Sequence, residues 1–423
     1  MTASRVGLEL EFMVPCKLGD PKSPGKLPDT SSDQRWPDSP GVQGRSNDSF
    51  FANTLCQKAV CHALANCGLP VARTVFFKPL SGDPDSRDTN HAAISIGPSH
   101  RLLVWNRKPD ASAGRQERFR YWYVTYEPSI LHALDTKHIK GPGPYQWYAM
   151  EINSPILSAP EEFAANLPTV AKALSSIRNS TKVWLNAECG LHIHVSPPNG
   201  PLDINVARRL AALTLLMERP FLLKLCHPCR QRSLHVPLIS THSTIAVDAS
   251  TPTKEIVMTG TEAKLLCQIR ATARNRSRDE PQIFRMLGVI LAQPDGISLR
   301  QKMRTPDPGV ISLSACSGRC ALAVSDFGTM EFRYPQASFD VDFISLWVDI
   351  VRRMFAIAAS PDATFLPKLA EFYDMATSNI QLGWIHWLRA LGLAERAEFC
   401  KRQINRYGGD LKDLNKGGIL PLV

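Results

Sequence analysis

The chain has 423 residues, of which 44% are hydrophobic, enough for a globular protein with a sizeable core in one large domain or two to three smaller ones. Its 49 Lys and Arg against 39 Asp and Glu leave a net charge of +10, which favours anionic partners without naming one. No apolar run reaches the roughly 18 to 20 residues of a membrane span, and Met1-Thr-Ala-Ser-Arg5 lacks the regions of a signal peptide. The 11 cysteines are odd in number and irregularly spaced, so reduced thiols in a cytoplasmic protein are expected rather than a disulfide framework.

In chain order, the pattern predicts a first strand over 5–14, followed by a Pro, Gly, Ser and Asp-rich stretch that cannot bury a core and reads as a flexible insertion over 15–50. A helix is expected from Phe51 to Asn66, stopped by Gly68 and Pro70. Strands follow at 71–77, 101–105, 119–126 and 146–152, rich in aromatic and β-branched residues. Helices are then predicted over 161–178, 203–226, 261–274, 282–293, 339–358, 364–377 and 393–406, interrupted by a strand at 190–196 and another at Met330–Arg333. The fold class is α+β, with a domain over 1–358 and a helical C-terminal extension over 359–423. Arg270, Arg274 and Arg278 fall on one face of the expected helix, with Arg276 between them, and a solvated face is the plainer reading than a phosphate or nucleic-acid patch. No nucleic-acid module is present, so no nucleic-acid partner is expected.

Four strand segments carry the chemistry. They are Gly7-Leu-Glu-Leu-Glu-Phe12, Met150-Glu-Ile-Asn153, Gly190-Leu-His-Ile-His-Val195 and Met330-Glu-Phe-Arg333. Residues two apart on a strand share a face, so Glu9 with Glu11, His192 with His194, and Glu331 with Arg333 each present a polar pair over apolar alternates. If the strands share one sheet, Glu9, Glu11, Glu151, Glu331, His192 and His194 converge on one concave surface. Carboxylates that close cannot all ionise without cations. Oxygen donors select Mg²⁺ or Mn²⁺, such metals clamp nucleotide phosphates, and Arg333 suits charge on a transferring phosphoryl group. Plainer readings exist for each piece alone: a solvent face for Glu9 and Glu11, exposed strand histidines, and a salt bridge for Glu331 with Arg333.

In that order, the four motifs, with Met150-Glu-Ile-Asn-Ser-Pro-Ile-Leu157 and Cys189-Gly-Leu-His-Ile-His-Val-Ser196 the most specific, resemble the amidoligase enzymes of fungi and bacteria. These are similar to the carboxylate-amine ligases that include glutamine synthetase and glutamate-cysteine ligase. The resemblance spans about 5–351. It implies a curved antiparallel sheet, flanked by helices, whose concave face holds ATP and Mg²⁺ or Mn²⁺. A carboxylate would be activated as an acyl phosphate and attacked by an amine. By position, Glu9, Glu11, Glu151 and Glu331 would be metal ligands, and His192 and His194 ligands or phosphate contacts. Arg333 would neutralise the γ-phosphoryl group, and Arg230 would bind a substrate carboxylate or phosphate. Catalysis would then rest on Arg333, Glu331 and His192. Small-molecule or peptide acids and amines are the implied substrates, and because related ligases often assemble, a homo-oligomer stays open.

Three alternatives stand beside this reading. A cupin-like metal-dependent oxygenase would use the two histidines and a carboxylate but leaves the other acidic strands unexplained. A non-catalytic nucleotide- or ligand-binding protein of the same fold is another. Among the cysteines, Cys189 points away from His192 and reads as a buried structural thiol, while Cys226, Cys229, Cys316 and Cys320 have spacings unlike familiar zinc sites.

Overall fold

A computed structural model of the chain describes residues 4–16, 33–36, 49–76, 92–97, 100–108, 115–132, 141–143, 145–233, 236–251, 260–272, 276–306, 318–380, 382–409 and 411–423. The chain divides into two compact units. The first comprises Gly7–Gly190, Ala337–Val341 and Asp413–Val423, and the second Met1–Val6, Leu191–Gln336 and Asp342–Lys412. Strands and helices are mixed in both, and the strands are mostly antiparallel, which bears out the α+β class.

The first unit contains β1 (Arg5–Cys16), α1 (Ser49–Asn66), β2 (Val71–Phe76), β3 (Ala92–Gly97), β4 (His100–Trp105), β5 (Trp122–Tyr126), α2 (Ser129–His132), β6 (Gln146–Asn153), α3 (Pro160–Ala164) and α4 (Pro168–Ser180). Its strands lie in the order β3-β4-β2-β5-β6-β1, antiparallel except for the parallel β2–β5 pair. The register sets Leu10 opposite Ile152, and Ile152 opposite Val124. These residues share the face that holds Arg73, whose Nη1 donates to Gln57 on α1 at 3.3 Å. Helix α1 therefore covers the apolar face, with α4 packed beside it, and the acidic residues fall on the other face.

The predicted helix over 161–178 is two helices. Asn166 and Leu167 both take φ of 58°, which breaks the helix, and Pro168 starts α4 afresh at its first position. Strand β3 was not predicted. Of the expected 15–50 insertion, residues 17–32 and 37–48 lie outside the described residues. Residues 33–36 are seated: Arg35 pairs with Asp33 at 2.7 Å, Lys182 donates to the Asp33 carbonyl at 2.9 Å, and Trp36 bridges to Thr181.

The second unit contains β7 (Leu191–Ser196), α5 (Ile204–Met217), α6 (Leu223–Leu225), α7 (Ile239–His242), α8 (Thr244–Ser250), α9 (Thr261–Thr272), α10 (Glu280–Leu291), α11 (Gly296–Lys302), β8 (Leu322–Val324), β9 (Met330–Phe332), α12 (Val341–Ala358), α13 (Asp362–Thr377), α14 (Trp384–Ala390) and α15 (Ala397–Arg406). Its strands run β7-β9-β8, all antiparallel. Asp203 caps α5 by accepting the Asn205 and Val206 N–H groups at 2.7 and 3.3 Å. A π-helical segment, Glu218–Leu222, joins α5 to α6 around Pro220, which has no N–H to give. Helix α10 packs on α5 and α8, and α13 on α5 and α9.

Helices α13 to α15 belong to the second unit, whereas 413–423 belong to the first, where Arg178 donates to the Pro421 carbonyl at 2.8 Å. Arg276 donates to Thr377 at 2.7 Å and pairs with Asp374 at 2.8 Å. Arg270 on α9 pairs with the buried Glu280 of α10 at 3.2 Å, while Arg274 lies outside the described residues. Helices α7, α8, α11 and α14 were too short to show periodicity. Among the described residues, no helix is long and apolar enough to cross a membrane.

Candidate functional site

On the first unit's open face, the β1–β6 register puts Glu11 directly opposite Glu151 and Glu9 opposite Asn153. The β5–β6 register adds Thr125 opposite Glu151 and Tyr123 opposite Asn153. Glu127, just past β5, stays on this ladder by donating its N–H to the Ala149 carbonyl at 3.2 Å. Carboxylate oxygens of Glu11, Glu127 and Glu151 consequently lie within 4.8 Å of one another. Glu11 is 5% exposed and accepts the Gly190 N–H at 2.6 Å, while Asn153 donates to Glu151 at 2.7 Å. Burial and the charges of Glu9, Glu127 and Glu11 push the Glu151 carboxyl well above its ordinary range, partly offset by the Asn153 amide. Crowded like charges of this kind fit a divalent cation with hard oxygen donors, which would relieve the repulsion.

The second unit assembles a different group. Glu331 is 0% exposed on the middle strand of its ladder, directly opposite His194 on β7 and Ala323 on β8. Arg333 pairs with one Glu331 oxygen, and Arg319 pairs with the other at 3.2 Å. Arg319 also reaches Asp326 at 3.1 Å, and Asp326 is paired in turn with Arg300. His192, 2% exposed, places Nδ1 3.8 Å from Glu331 and 3.4 Å from Arg333. His194 Nδ1 shares a hydrogen bond of 2.7 Å with the Thr329 hydroxyl, which bonds to Ser325 at 2.7 Å. Arg230 is 1% exposed, with Nη2 3.5 Å from the Arg333 carbonyl.

Sequence-predicted residues therefore gather within each unit: Glu9, Glu11 and Glu151 in the first, and His192, His194, Glu331, Arg333 and Arg230 in the second. Arg333 lies on Glu331, the geometry expected of an ion pair between same-face neighbours. Two participants were missed. Glu127 was findable, because Tyr123, Thr125 and Glu127 repeat the spacing of two that singled out Glu9 and Glu11. Arg319 had no local signal, since only the pairing of the three-residue β8 with β9 delivers it to Glu331.

Cys189, Cys226 and Cys320 are buried thiols. Cys189 is buried and bonds to Asn186 at 3.1 Å, and Cys226 donates to the Leu222 and Tyr334 carbonyls at 3.3 Å each. Burial pushes the Cys226 and Cys320 thiols up, and Cys316 lies outside the described residues.

A family model described as "Putative amidoligase enzyme" matches residues 54–259, just under half of the chain. The matched span holds Glu127, Glu151, His192, His194 and Arg230, and leaves Glu9, Glu11, Glu331 and Arg333 outside it. No curated protein and no solved structure matches. The match and the motifs inside it support the amidoligase family for this chain, and with it an enzyme of the ligase type.

Proposed function

We propose that the chain is an ATP-dependent carboxylate-amine ligase, joining an acid to an amine through an acyl phosphate, on a glutamine-synthetase-like sheet with a concave working face. The observation that carries this reading is the cluster of Glu11, Glu127 and Glu151 on one sheet face, where the charges of neighbouring carboxylates act against ionisation of Glu151. Glu9, Glu11, Glu127 and Glu151 would hold Mg²⁺ or Mn²⁺, which when bound supplies positive charge for the phosphates of ATP. Arg333 and Arg230 would meet phosphoryl or carboxylate oxygens. His192, packed against Glu331 and Arg333, would orient Arg333, and His194 would keep a phosphate contact. Such chemistry needs no nucleophilic side chain, because positioning and electrostatics carry phosphoryl transfer to a carboxylate.

Release of ADP and phosphate from Mg²⁺-ATP, measured across a matrix of acids and amines, tests the proposal. Release that requires both an acid and an amine, and disappears in Glu9→Gln and Glu151→Gln variants, is the expected result. Saturable nucleotide binding with no ADP from any pair would leave a binding protein and remove the ligase.

A further inference from the structure

Between α6 and the 3₁₀ turn Arg230–Arg232, the segment His227-Pro-Cys229 brings an imidazole and a thiol together. His227 is 2% exposed, and Cys229 is half-buried. The His227 backbone is held at both ends: its N–H donates to Gln336 at 3.0 Å, and its carbonyl accepts the Arg230 N–H at 2.9 Å. Tyr407, just past α15, sets its ring 5.1 Å from the imidazole in an edge-to-face contact and donates its hydroxyl to the Leu225 carbonyl at 2.9 Å. Two hydrogen bonds then fix which ring nitrogen carries the proton. The Leu411 carbonyl can only accept, so the Nε2 bonded to it carries the hydrogen. The Cys229 N–H can only donate, at 3.1 Å to Nδ1, so that nitrogen keeps its lone pair. Cys229 Sγ lies 2.8 Å from the same Nδ1 and therefore donates its S–H to it.

We propose that Cys229 is a nucleophilic thiol oxidised by hydroperoxides, with His227 as its base and the Leu411 carbonyl as the group that orients the base. A nucleophile within hydrogen-bond reach of a base, itself oriented by a third group, is the arrangement that activates a serine or cysteine. In the step, the S–H proton passes to His227 Nδ1, because the thiolate is the form of cysteine that attacks. The sulfur then attacks one oxygen of hydrogen peroxide, forming the S–O bond as the O–O bond breaks, and the leaving hydroxide takes the proton from Nδ1 to become water. The sulfur loses an electron pair to become a sulfenic acid, and the peroxide is reduced. The neighbouring Cys226 is set apart by burial, since it is 1% exposed and its thiol donates to two backbone carbonyls. The site is independent of the ligase reading, which uses neither side chain.

The full chain, reduced and then treated with hydrogen peroxide in the presence of dimedone, which traps sulfenic acids, tests the proposal by mass spectrometry of the peptides holding Cys229 and Cys267. Cys267 on α9 is exposed and serves as the reference thiol. The expected result is trapping at Cys229 about tenfold faster than at the more exposed Cys267. Unfolding in urea should abolish that difference. His227→Asn, which keeps an acceptor for the Cys229 N–H but removes the base, should bring Cys229 down to the Cys267 rate and leave Cys267 and the cooperative melt unchanged. A histidine that only closes the turn would leave each thiol reacting at a rate set by its exposure. Trapping at Cys229 no faster than at Cys267 in the folded wild type overturns the proposal, whether or not His227→Asn folds. A difference that survives in urea, or undiminished trapping at Cys229 in folded His227→Asn, overturns it as well.

Discussion

The two units treat strand glutamates in opposite ways. Glu331 is sealed from solvent, and each of its oxygens is met by an arginine. At Glu151, desolvation and then the charges of Glu9, Glu127 and Glu11 raise the pKa, and the hydrogen bond from Asn153 only partly compensates. A carboxylate with guanidinium partners supplies its own balance of charge and contributes to structure. A cluster of carboxylates raises its own proton affinity and gains most from an outside cation. The same residue type on the same kind of strand thus has its charge balanced in one unit, and in the other is crowded by like charges that the proposed cation would relieve.

The largest contrast should appear in stability. Glu331→Gln leaves Arg319 and Arg333 facing an uncharged group in a buried setting, and should lower the unfolding free energy by about 3–5 kcal/mol in urea titrations. Glu151→Gln, by removing a like charge, should leave the metal-free chain as stable as wild type or more so. The reverse order of effects would break the comparison.

Divalent cations should sharpen it. Mg²⁺ or Mn²⁺ at about 100 times its Kd should raise the unfolding free energy of wild type by about 2.7 kcal/mol, read as a shift in thermal melting. Glu11→Gln and Glu151→Gln should lose most of that shift.

A third effect follows from protons. The Glu151 carboxyl is raised above its ordinary value of 4.5, so the folded chain holds its proton to higher pH than the unfolded chain does. Its contribution to metal-free stability is complete below that ordinary value and is lost as pH rises through the raised one. Thermal melting of wild type should therefore decline over that window, while Glu151→Gln should show a flatter profile. Excess Mn²⁺ should flatten the wild-type profile as well, because cation and proton compete for the same oxygens. The smallest effect is local: Thr329→Val removes the hydroxyl bonded to His194 Nδ1, should cost about 1 kcal/mol, and should leave the cation-induced shift in place.

Much of this was legible in the sequence, and the boundary has physical causes. The i, i+2 pairs at Glu9 and Glu11, and at His192 and His194, were readable because a strand alternates its faces, and the structure sets both on strands. Long helices such as α12 and α5 announced themselves by periodicity, whereas α7 and β8 are too short to show any. Partners set by tertiary pairing were not readable. Arg319 reaches Glu331 through a ladder of three residues, and the break at Asn166 and Leu167 depends on how Pro168 restarts a helix that the apolar spacing runs straight through. The tail likewise read as an appendage because nothing local shows that α13 packs on α5.

The most direct test of the central claim, that the first unit's carboxylates are completed by a cation, is a titration of the metal-free chain with Mn²⁺ followed by electron paramagnetic resonance. The account predicts saturable binding by wild type that is lost in Glu151→Gln and retained in Thr329→Val. Undiminished binding in Glu151→Gln would contradict it.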